Sequence, residues 1–215
     1  MSRKWIIAID GPAASGKGTL ARRLAEHLGV PYLDTGLLYR AVARDVLARG
    51  ENLEDVAASV TAAKAIDART LGDLALRGPL AGDAASIIAK IPEVRAALLD
   101  YQRDFARTAA RGAILDGRDI GTVVCPDAHI KIFVTASDEA RARRRHLEHQ
   151  GRGESIPYER VLEDLRRRDA RDSNRSIAPL EVAADAQLVD TTDLDPDQAF
   201  SAVRDLIEKQ MQKQK

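Results

Sequence analysis

Hydrophobic residues along the chain form two kinds of pattern, short uninterrupted runs and longer segments with helical spacing. The short runs are bounded by polar residues or glycine and predict buried strands at 5–9, 30–33, 113–115, 130–134 and 187–189. Between them, apolar residues recur every three or four positions and predict helices near 20–28, 37–47, 94–108, 138–149, 158–171 and 196–211. Strands that alternate with helices predict a three-layer α/β fold, in which a five-stranded parallel sheet has helices on both faces.

Two segments interrupt this alternation. Residues 52–90 lie between the second and third predicted strands and have weak periodicity, glycine breaks and many alanines. Only the run DARTLGDLALRG hints at a β-hairpin there. Residues 150–179 contain GRGE, a charged helix and the polar turn DSNRSIAP. Their composition predicts two additions to the sheet that are able to move.

The first predicted strand leads into the run IIAIDGPAASGKGTLARRL, where Gly11, Gly16 and Lys17 have the spacing G-x-x-x-x-G-K. With a strand before it and a helix after it, this spacing marks a P-loop, a backbone cradle for phosphates. The glycines let N–H groups point inward around an anion, and the helix N-terminus adds about half a positive charge. A glycine-rich turn with a solvated lysine is the simpler alternative, but it does not account for these features together. We therefore predict a triphosphate cradle formed by Gly11, Pro12, Ala13, Ala14, Ser15, Gly16, Lys17, Gly18 and Thr19.

The cradle departs from the commonest form at the residue after Lys17, which is Gly18 where a Ser or Thr usually binds magnesium. The hydroxyl follows one residue later, as Thr19, and is better placed for a phosphate oxygen. We therefore expect Mg²⁺ to be held mainly by phosphates and water, which magnesium accepts readily. Asp34 and Asp116 follow the second and third predicted strands, where they either bind the ion through water or cap turns.

Polar residues cluster at three further places, LDTGLLYR after the second strand, AILDGRDIGTVV at the third, and RRRDARDSNR in the 150–179 segment. Ligands of open α/β sheets bind at the carboxyl ends of the strands, so the first two clusters face the same crevice as the P-loop. Tyr39, in the first cluster, either stacks on the phosphoryl acceptor or fills the core.

Composition limits the setting and the partners of the protein. The 215 residues suit one core with small appendages, and 33 basic residues balance 33 acidic ones, which argues against nucleic acid or an anionic membrane as partner. The apolar runs are shorter than the ~20 residues that span a bilayer, and the N-terminus does not resemble a signal peptide. Cys125 is the only cysteine, which excludes an internal disulfide and fits a reducing compartment, so we expect a cytoplasmic protein.

The motifs GPAASGKGT, DTGLLYR, AASIIAKIPEVR, DGRDIGTVVCPDA and RRDARDSNR, in this order, resemble those of the bacterial cytidylate kinase family among the P-loop nucleoside monophosphate kinases. The resemblance implies a single P-loop kinase domain over 1–215, with an acceptor-binding part at about 52–110 and a lid at about 150–180. It also implies transfer of the γ-phosphoryl group of ATP to CMP or dCMP, with Mg²⁺, by a monomer. Thr35 matches a position where the family has a small hydroxyl residue near the acceptor.

The resemblance assigns the acceptor phosphate to Arg40, Arg118 and Arg175. It makes Arg171 a lid arginine near the transferring group, so that the implied catalytic residues are Lys17, Arg118, Arg171 and Arg175. A nucleoside monophosphate is largely dianionic at neutral pH, since its second pKa is about 6. Its oxygen is already a nucleophile, so the expected catalysis is positioning and charge neutralisation, without a general base.

The resemblance also assigns the cytosine ring to Ser86, Arg95 and Asp119, and the sugar to Arg168 and Asp172. Asp119 is a chemically sensible discriminator, because a carboxylate accepts from the amine of cytosine and repels the carbonyl that uracil has in its place. The wrong base would leave a buried charge unpaired.

Other functions remain open at this point, first a small-molecule P-loop kinase acting on UMP, AMP or a non-nucleotide such as shikimate. A regulatory GTPase should contain N-K-x-D, which is missing, and a nucleic-acid-binding NTPase should have a basic face and stacking aromatics, whereas the net charge is 0. The arginines of 141–145, with His146 and His149, read most simply as exposed residues of a charged helix.

Overall fold

The computed structural model describes residues 4–78 and 81–213. Its strands are β1 Trp5–Asp10, β2 Tyr32–Asp34, β3 Gly112–Gly117, β4 Ile130–Thr135 and β5 Gln187–Asp190. They form one sheet in the order β2-β3-β1-β4-β5, and all neighbouring strands are parallel. The predicted five-stranded parallel sheet is therefore confirmed.

The helices are α1 Lys17–Leu28, α2 Thr35–Ala48, α3 Val56–Lys64, α4 Ala81–Ile88, α5 Pro92–Thr108, α6 Asp138–Gly151, α7 Tyr158–Ser173 and α8 Pro196–Lys213. All six predicted helices are present, with ends shifted by a few residues. β2 begins later than expected because the N–H of Val30 bonds to the carbonyl of Ala25 and closes the end of α1.

Alternate residues of the central strand face opposite layers, as the pleat of a strand requires. Ile7 and Ile9 pack with Leu24 of α1 and Val203 of α8, whereas Ala8 belongs to the cluster on the opposite face, with α2 and α5. Both faces of the sheet are thus covered by helices, which confirms the three-layer arrangement.

The 52–90 segment differs from its prediction. It contains α3, two 3₁₀ helices at Ala68–Gly72 and Leu74–Arg77, and α4. The hairpin hinted at by DARTLGDLALRG is wrong, since the described residues of that run form the two 3₁₀ helices. Asp67 and Asp73 accept from backbone N–H groups two residues on, and such local bonds favour turns over strands.

Helices α6 and α7 pack against each other and against the P-loop. A small apolar cluster joins Ala142, Val161 and Leu165 to Ala13. The prediction that His149 is exposed is wrong, because it is buried at the end of α6 and its Nδ1 pairs with Glu154. Within the described residues, no helix is both long and apolar enough to cross a membrane.

Candidate active site

A cavity of about 230 Å³, called here the central cavity, opens where the P-loop meets the carboxyl ends of β2 and β3. The predicted site residues that line it are Ala13, Ala14, Gly16, Lys17, Gly18, Thr19, Asp34, Thr35, Arg40, Ser86, Arg95, Asp116, Arg118, Asp119, Arg168, Asp172 and Arg175. The P-loop residues Gly11, Pro12 and Ser15 lie outside this lining, as does Arg171. The fold thus brings the clusters on β2, β3 and α7 to one place.

The P-loop is shaped by two glycines that other residues could not replace without strain. Gly11 has φ +152°, and a Cβ there would lie 2.0 Å from the carbonyl oxygen of Val134. Gly16 has φ +87° and is the N-cap of α1 without a side-chain cap, which leaves the first N–H groups of the helix open to an anion.

Lys17 begins α1 with its side chain buried in the cavity wall, where its Nζ donates to the carbonyl of Pro12 at 3.3 Å. Burial, followed by the positive charge of Arg118, lowers the pKa of Lys17 to about 7, and the carboxylates of Asp116 and Asp34 oppose this. The amine is therefore short of negative partners in the cavity, which suits a group that binds phosphates.

Asp34 and Asp116 are directly paired across β2 and β3 and both line the cavity. Asp34 is the N-cap of α2, but its side chain makes no capping bond. Burial and the charge of Asp34 raise the pKa of Asp116, and the hydroxyl of Tyr32 donates to its Oδ1 at 2.7 Å. A Cβ at Gly18 would lie 3.6 Å from both Asp116 Oδ2 and the Tyr32 hydroxyl, so this carboxylate borders the position where other P-loops have a metal-binding hydroxyl.

Asp172 of α7 is the centre of the arginine cluster. Its Oδ1 accepts from Ser86 Oγ at 2.7 Å and from Arg175, and its Oδ2 accepts from Arg118 Nε at 3.0 Å. Arg168 Nε lies 3.9 Å from the same Oδ2. Burial alone would raise the pKa of Asp172, but Arg118 and Arg175 outweigh it and hold the pKa well below its ordinary range. One carboxylate thus positions several guanidinium groups.

The cluster has more positive charge than Asp172 can neutralise. The Nε atoms of Arg40, Arg168 and Arg175 are buried without a hydrogen-bond partner among the described residues. Burial lowers the pKa of Arg40, and burial with the charge of Arg118 lowers that of Arg168 to about 9. Buried cationic donors without acceptors are destabilising. An anion with several oxygens would satisfy them.

Arg95 of α5 and Asp119, just after β3, form a buried ion pair at the far end of the cavity. Burial raises the pKa of Asp119, and Arg95 opposes this rise most strongly. The Tyr39 ring lies 5.7 Å from the Arg95 guanidinium carbon, and Tyr39 both packs in the core and lines the cavity. Arg95 thus lies between the carboxylate of Asp119 and the aromatic ring of Tyr39.

The two predicted hydroxyl residues are hydrogen-bonded within the protein. Thr35 Oγ1 donates to the backbone carbonyl of Asp116 at 2.8 Å, and Ser86 Oγ donates to Asp172. Both oxygens remain able to accept. Arg171 instead pairs with Asp83 at 2.7 Å, which links α7 to the first turn of α4.

Two residues of α6 and its C-cap residue line the central cavity without having been predicted to do so. They are Arg145, Glu148 and Arg152, and their spacing of three and four residues, which is one face of a helix, was the available signal. Arg22 of α1 lines it as well.

Arg141 contradicts the prediction that residues 141–145 are simply exposed. It is buried, donates to the carbonyl of Ala13 in the P-loop at 3.0 Å and pairs with Asp138 and Asp169. Helical periodicity could not reveal a bond to a loop 128 residues away.

A second cavity of about 220 Å³ lies on the other side of the P-loop and shares Ala14, Gly16, Thr19 and Glu148 with the central cavity. Its walls are largely apolar, with further lining from Ser15, Leu20, Arg23, Val134, Arg144, Thr191, Leu194, Asp195, Pro196 and Ala199. Thr191 donates to the carbonyl of Ser15 at 3.2 Å and so connects this wall to the P-loop. Two cavities thus meet at the loop that was predicted to hold phosphates.

Comparison with known proteins gives consistent results. The family model for cytidylate kinase matches residues 7–209. The cytidylate kinase of Methylocella silvestris is 60% identical over 203 residues, which cover 94% of this chain and 94% of that protein. The cytidylate kinase of Xanthobacter autotrophicus is 61% identical over 203 residues, which cover 94% of this chain and 97% of that protein.

Solved structures agree on the fold. The shikimate kinase from Bacteroides thetaiotaomicron is similar with a TM-score of 0.52 at 13% sequence identity, covering 95% of this chain and 98% of that one. At this identity the similarity concerns the P-loop kinase fold alone.

Proposed function

The chain belongs to the cytidylate kinase family, and from this premise we propose how the two cavities and their residues perform the reaction. That reaction is the transfer of the γ-phosphoryl group of ATP to CMP or dCMP, which gives ADP and CDP or dCDP. The observation on which the residue assignments depend is that the P-loop and Lys17 share one cavity with Arg40, Arg118 and Arg175.

We assign the triphosphate of ATP to the P-loop and its adenine ring to the second cavity. The apolar side chains of Leu194 and Pro196 suit a flat ring, and the shared residues Ala14 and Gly16 lead from there to the central cavity. The N–H groups at the start of α1 would hold the phosphates, and Lys17 would follow the charge as it moves to the transferring group.

We assign the acceptor phosphate to Arg40, Arg118 and Arg175. Its oxygens would supply acceptors to the unpartnered Nε atoms of Arg40 and Arg175, and they would compete with Asp172 for Arg118 and for the terminal nitrogen of Arg175. Because the acceptor phosphate is already largely dianionic, the residues have to align it and neutralise its repulsion with ATP. No side chain is needed as a general base.

The base and the sugar occupy the far end of the central cavity in this proposal. The carboxylate of Asp119 would accept from the amine of cytosine, and Arg95, held beside it, would donate to the ring acceptors. Ser86 completes the base site, and Arg168 with Asp172 binds the sugar. The bond from Ser86 to Asp172 supports this grouping, since it joins the base and sugar positions.

Asp34 and Asp116 fit a magnesium ion bound through water. Their carboxylates line the cavity beside Lys17, and Gly18 leaves the space next to Asp116 Oδ2 open. When bound, Mg²⁺ would neutralise charge on the phosphates. We propose that phosphates and water supply most of the ligands of the ion, which magnesium accepts readily.

We further propose that residues at about 150–180 act as a lid and those at about 52–110 as the acceptor-binding part of a single domain over 1–215. Water exclusion is what a kinase requires so that ATP is not hydrolysed before the acceptor binds. Arg171 belongs to the lid and would approach the transferring group when it closes, leaving Asp83. We also propose that the protein is a monomer and that it is cytoplasmic.

A coupled ATP-consumption assay with CMP, dCMP, UMP, AMP and GMP tests the assignment of substrates. We expect the highest kcat/KM with CMP and dCMP and little ATP consumption without an acceptor. A preference for UMP or AMP would contradict the roles of Arg95 and Asp119.

A further inference from the structure

Asp10, the last residue of β1, binds the backbone of the segment after β3. It is 5% exposed, its Oδ1 accepts from the N–H of Ile120 at 2.8 Å, and its Oδ2 accepts from the N–H of Gly121 at 2.7 Å. Asp10 has no ion pair within residues 4–78 and 81–213, and Lys131, whose Cδ lies near the same Gly121, binds Asp185 at 2.9 Å. Its carboxylate is therefore used for two consecutive backbone donors.

These donors begin a single wide helical turn, Ile120–Val124, whose N-cap residue is Asp119. An N-cap Asp ordinarily bends back so that its carboxylate accepts from the second or third N–H of its own helix. Asp119 makes no such bond. Its side chain extends to Arg95 instead.

We infer that Asp10 caps this turn in place of Asp119 and is thereby a positioning residue for base recognition. Because the Gly121 N–H is already bonded to Asp10, the second N–H of the turn is not available to Asp119. Its carboxylate stays on Arg95, where it would meet the base. The inference rests on the proposed role of Asp119 as the reader of cytosine.

Two observations support this role. Asp10 directly precedes Gly11 of the P-loop, so the cap joins the phosphate cradle to the base-reading turn. Burial raises the pKa of Asp10 to about 6, while the N–H groups of Gly121 and Ile120 oppose the rise. The charges of Asp119, which raises this pKa, and of Lys17, which lowers it, act more weakly than the two backbone donors. The backbone N–H groups are therefore the main partners of this carboxylate.

The test is the ratio of kcat/KM for CMP to that for UMP in Asp10→Asn. The amide keeps the shape of the side chain but offers one acceptor oxygen where the carboxylate offers two. We expect the ratio to fall roughly tenfold, as for the loss of a capping bond with a charged partner, and the KM for CMP to rise more than the KM for ATP.

A second variant disturbs the same bond from the other partner. A Cβ at Gly121 would lie 3.3 Å from Asp10 Oδ2 and 3.1 Å from Lys131 Cδ, so Gly121→Ala should push the carboxylate away without removing it. We expect Gly121→Ala also to lower the ratio of kcat/KM for CMP to that for UMP. This variant still tests the inference if Asp10→Asn does not fold. The matched control is Asp55→Asn, which weakens an exposed cap on the N–H of Ala58 and should leave the ratio unchanged.

Combination with Asp119→Asn separates positioning from a general loss of structure. If Asp10 acts through Asp119, Asp10→Asn should lower the ratio in the native background and leave it unchanged in the Asp119→Asn background. An equal fall in both backgrounds, or no fall in either Asp10→Asn or Gly121→Ala, overturns the inference. An unchanged ratio in Asp119→Asn alone overturns instead the proposed role of Asp119.

Discussion

The proposed donor and acceptor halves of the central cavity are built in different ways. The donor half is one continuous loop, 11–19, which offers backbone N–H groups and the buried amine of Lys17. The acceptor half collects side chains from α2, α4, α5 and α7 around Asp172 and around the pair of Arg95 with Asp119. A backbone cradle depends little on any one side chain, whereas a network of buried charges depends on each of its members. Donor substitutions should therefore reduce the rate alone, and acceptor substitutions should reduce stability as well.

Lys17→Ala is the sharpest test of the donor half. We expect kcat to fall by roughly 10³-fold, because an amine aimed at the transferring phosphate is lost. The melting temperature should not fall, since a buried cation close to Arg118 is removed with it. Turnover in a coupled assay and thermal unfolding measure the two effects. Near-normal turnover would show that Lys17 is not poised on the reacting phosphates.

Asp172→Asn tests the acceptor half and should reduce stability. Removal of one partner from a buried ion pair leaves the arginines uncompensated, so we expect the free energy of unfolding to fall by about 3–5 kcal/mol. Urea unfolding near pH 7 measures this. An unchanged stability would mean that the arginines are held by other contacts.

The pH dependence of the same variant follows from the depressed pKa of Asp172. A carboxyl whose folded pKa lies below its unfolded value stabilises the fold above the unfolded pKa, and this contribution is lost as the pH falls through the folded pKa. The stability difference between the native protein and Asp172→Asn should therefore be largest near neutral pH and shrink in acid. A difference that grows on acidification would contradict the sign of this shift.

Asp119→Asn should lower the discrimination between bases as well as the stability, because Asp119 forms a buried ion pair with Arg95. We expect the preference for CMP over UMP to fall by about tenfold to a hundredfold, since the charged acceptor for the cytosine amine becomes a neutral amide. Competing-substrate kinetics measure the ratio. An unchanged ratio would move base recognition to other residues.

Tyr32→Phe affects the place where the two halves meet and should have the smallest effect. It removes the hydroxyl that donates to Asp116, which is worth about 1 kcal/mol of stability. Tyr101→Phe is the matched control, because the Tyr101 hydroxyl has no hydrogen bond among the described residues. Equal losses in the two variants would mean that the bond to Asp116 contributes nothing.

The same contrast explains what could be predicted from the sequence. The P-loop was recognisable because its strand, glycines, lysine and helix are contiguous, and Gly16 adopts a positive φ that glycine permits. The five strands were recognisable because buried parallel strands are short apolar runs. The residues of the acceptor half were identified by resemblance to the cytidylate kinase family, and their functional roles remain predictions.

Local sequence could not show which charged side chains become buried. The charge pattern of α6 suggested solvation for Arg141 and His149, yet both are buried by packing of the 150–180 segment. The helices within residues 52–90 were not predicted, because α3 and α4 bury mainly small residues and their apolar periodicity is therefore weak. For Arg141 a partner distant along the chain, the carbonyl of Ala13, contributes to the burial.

The sequence by itself determined the layered sheet, the phosphate cradle and the kind of chemistry, because these depend on periodicity and on backbone conformations that glycine permits. Only the tertiary structure decided that Asp172 organises the arginines and that Asp10 caps the turn of Asp119. The reason is physical: the partners of a buried charge are chosen by proximity in space, and here they lie 54 and 110 residues apart along the chain.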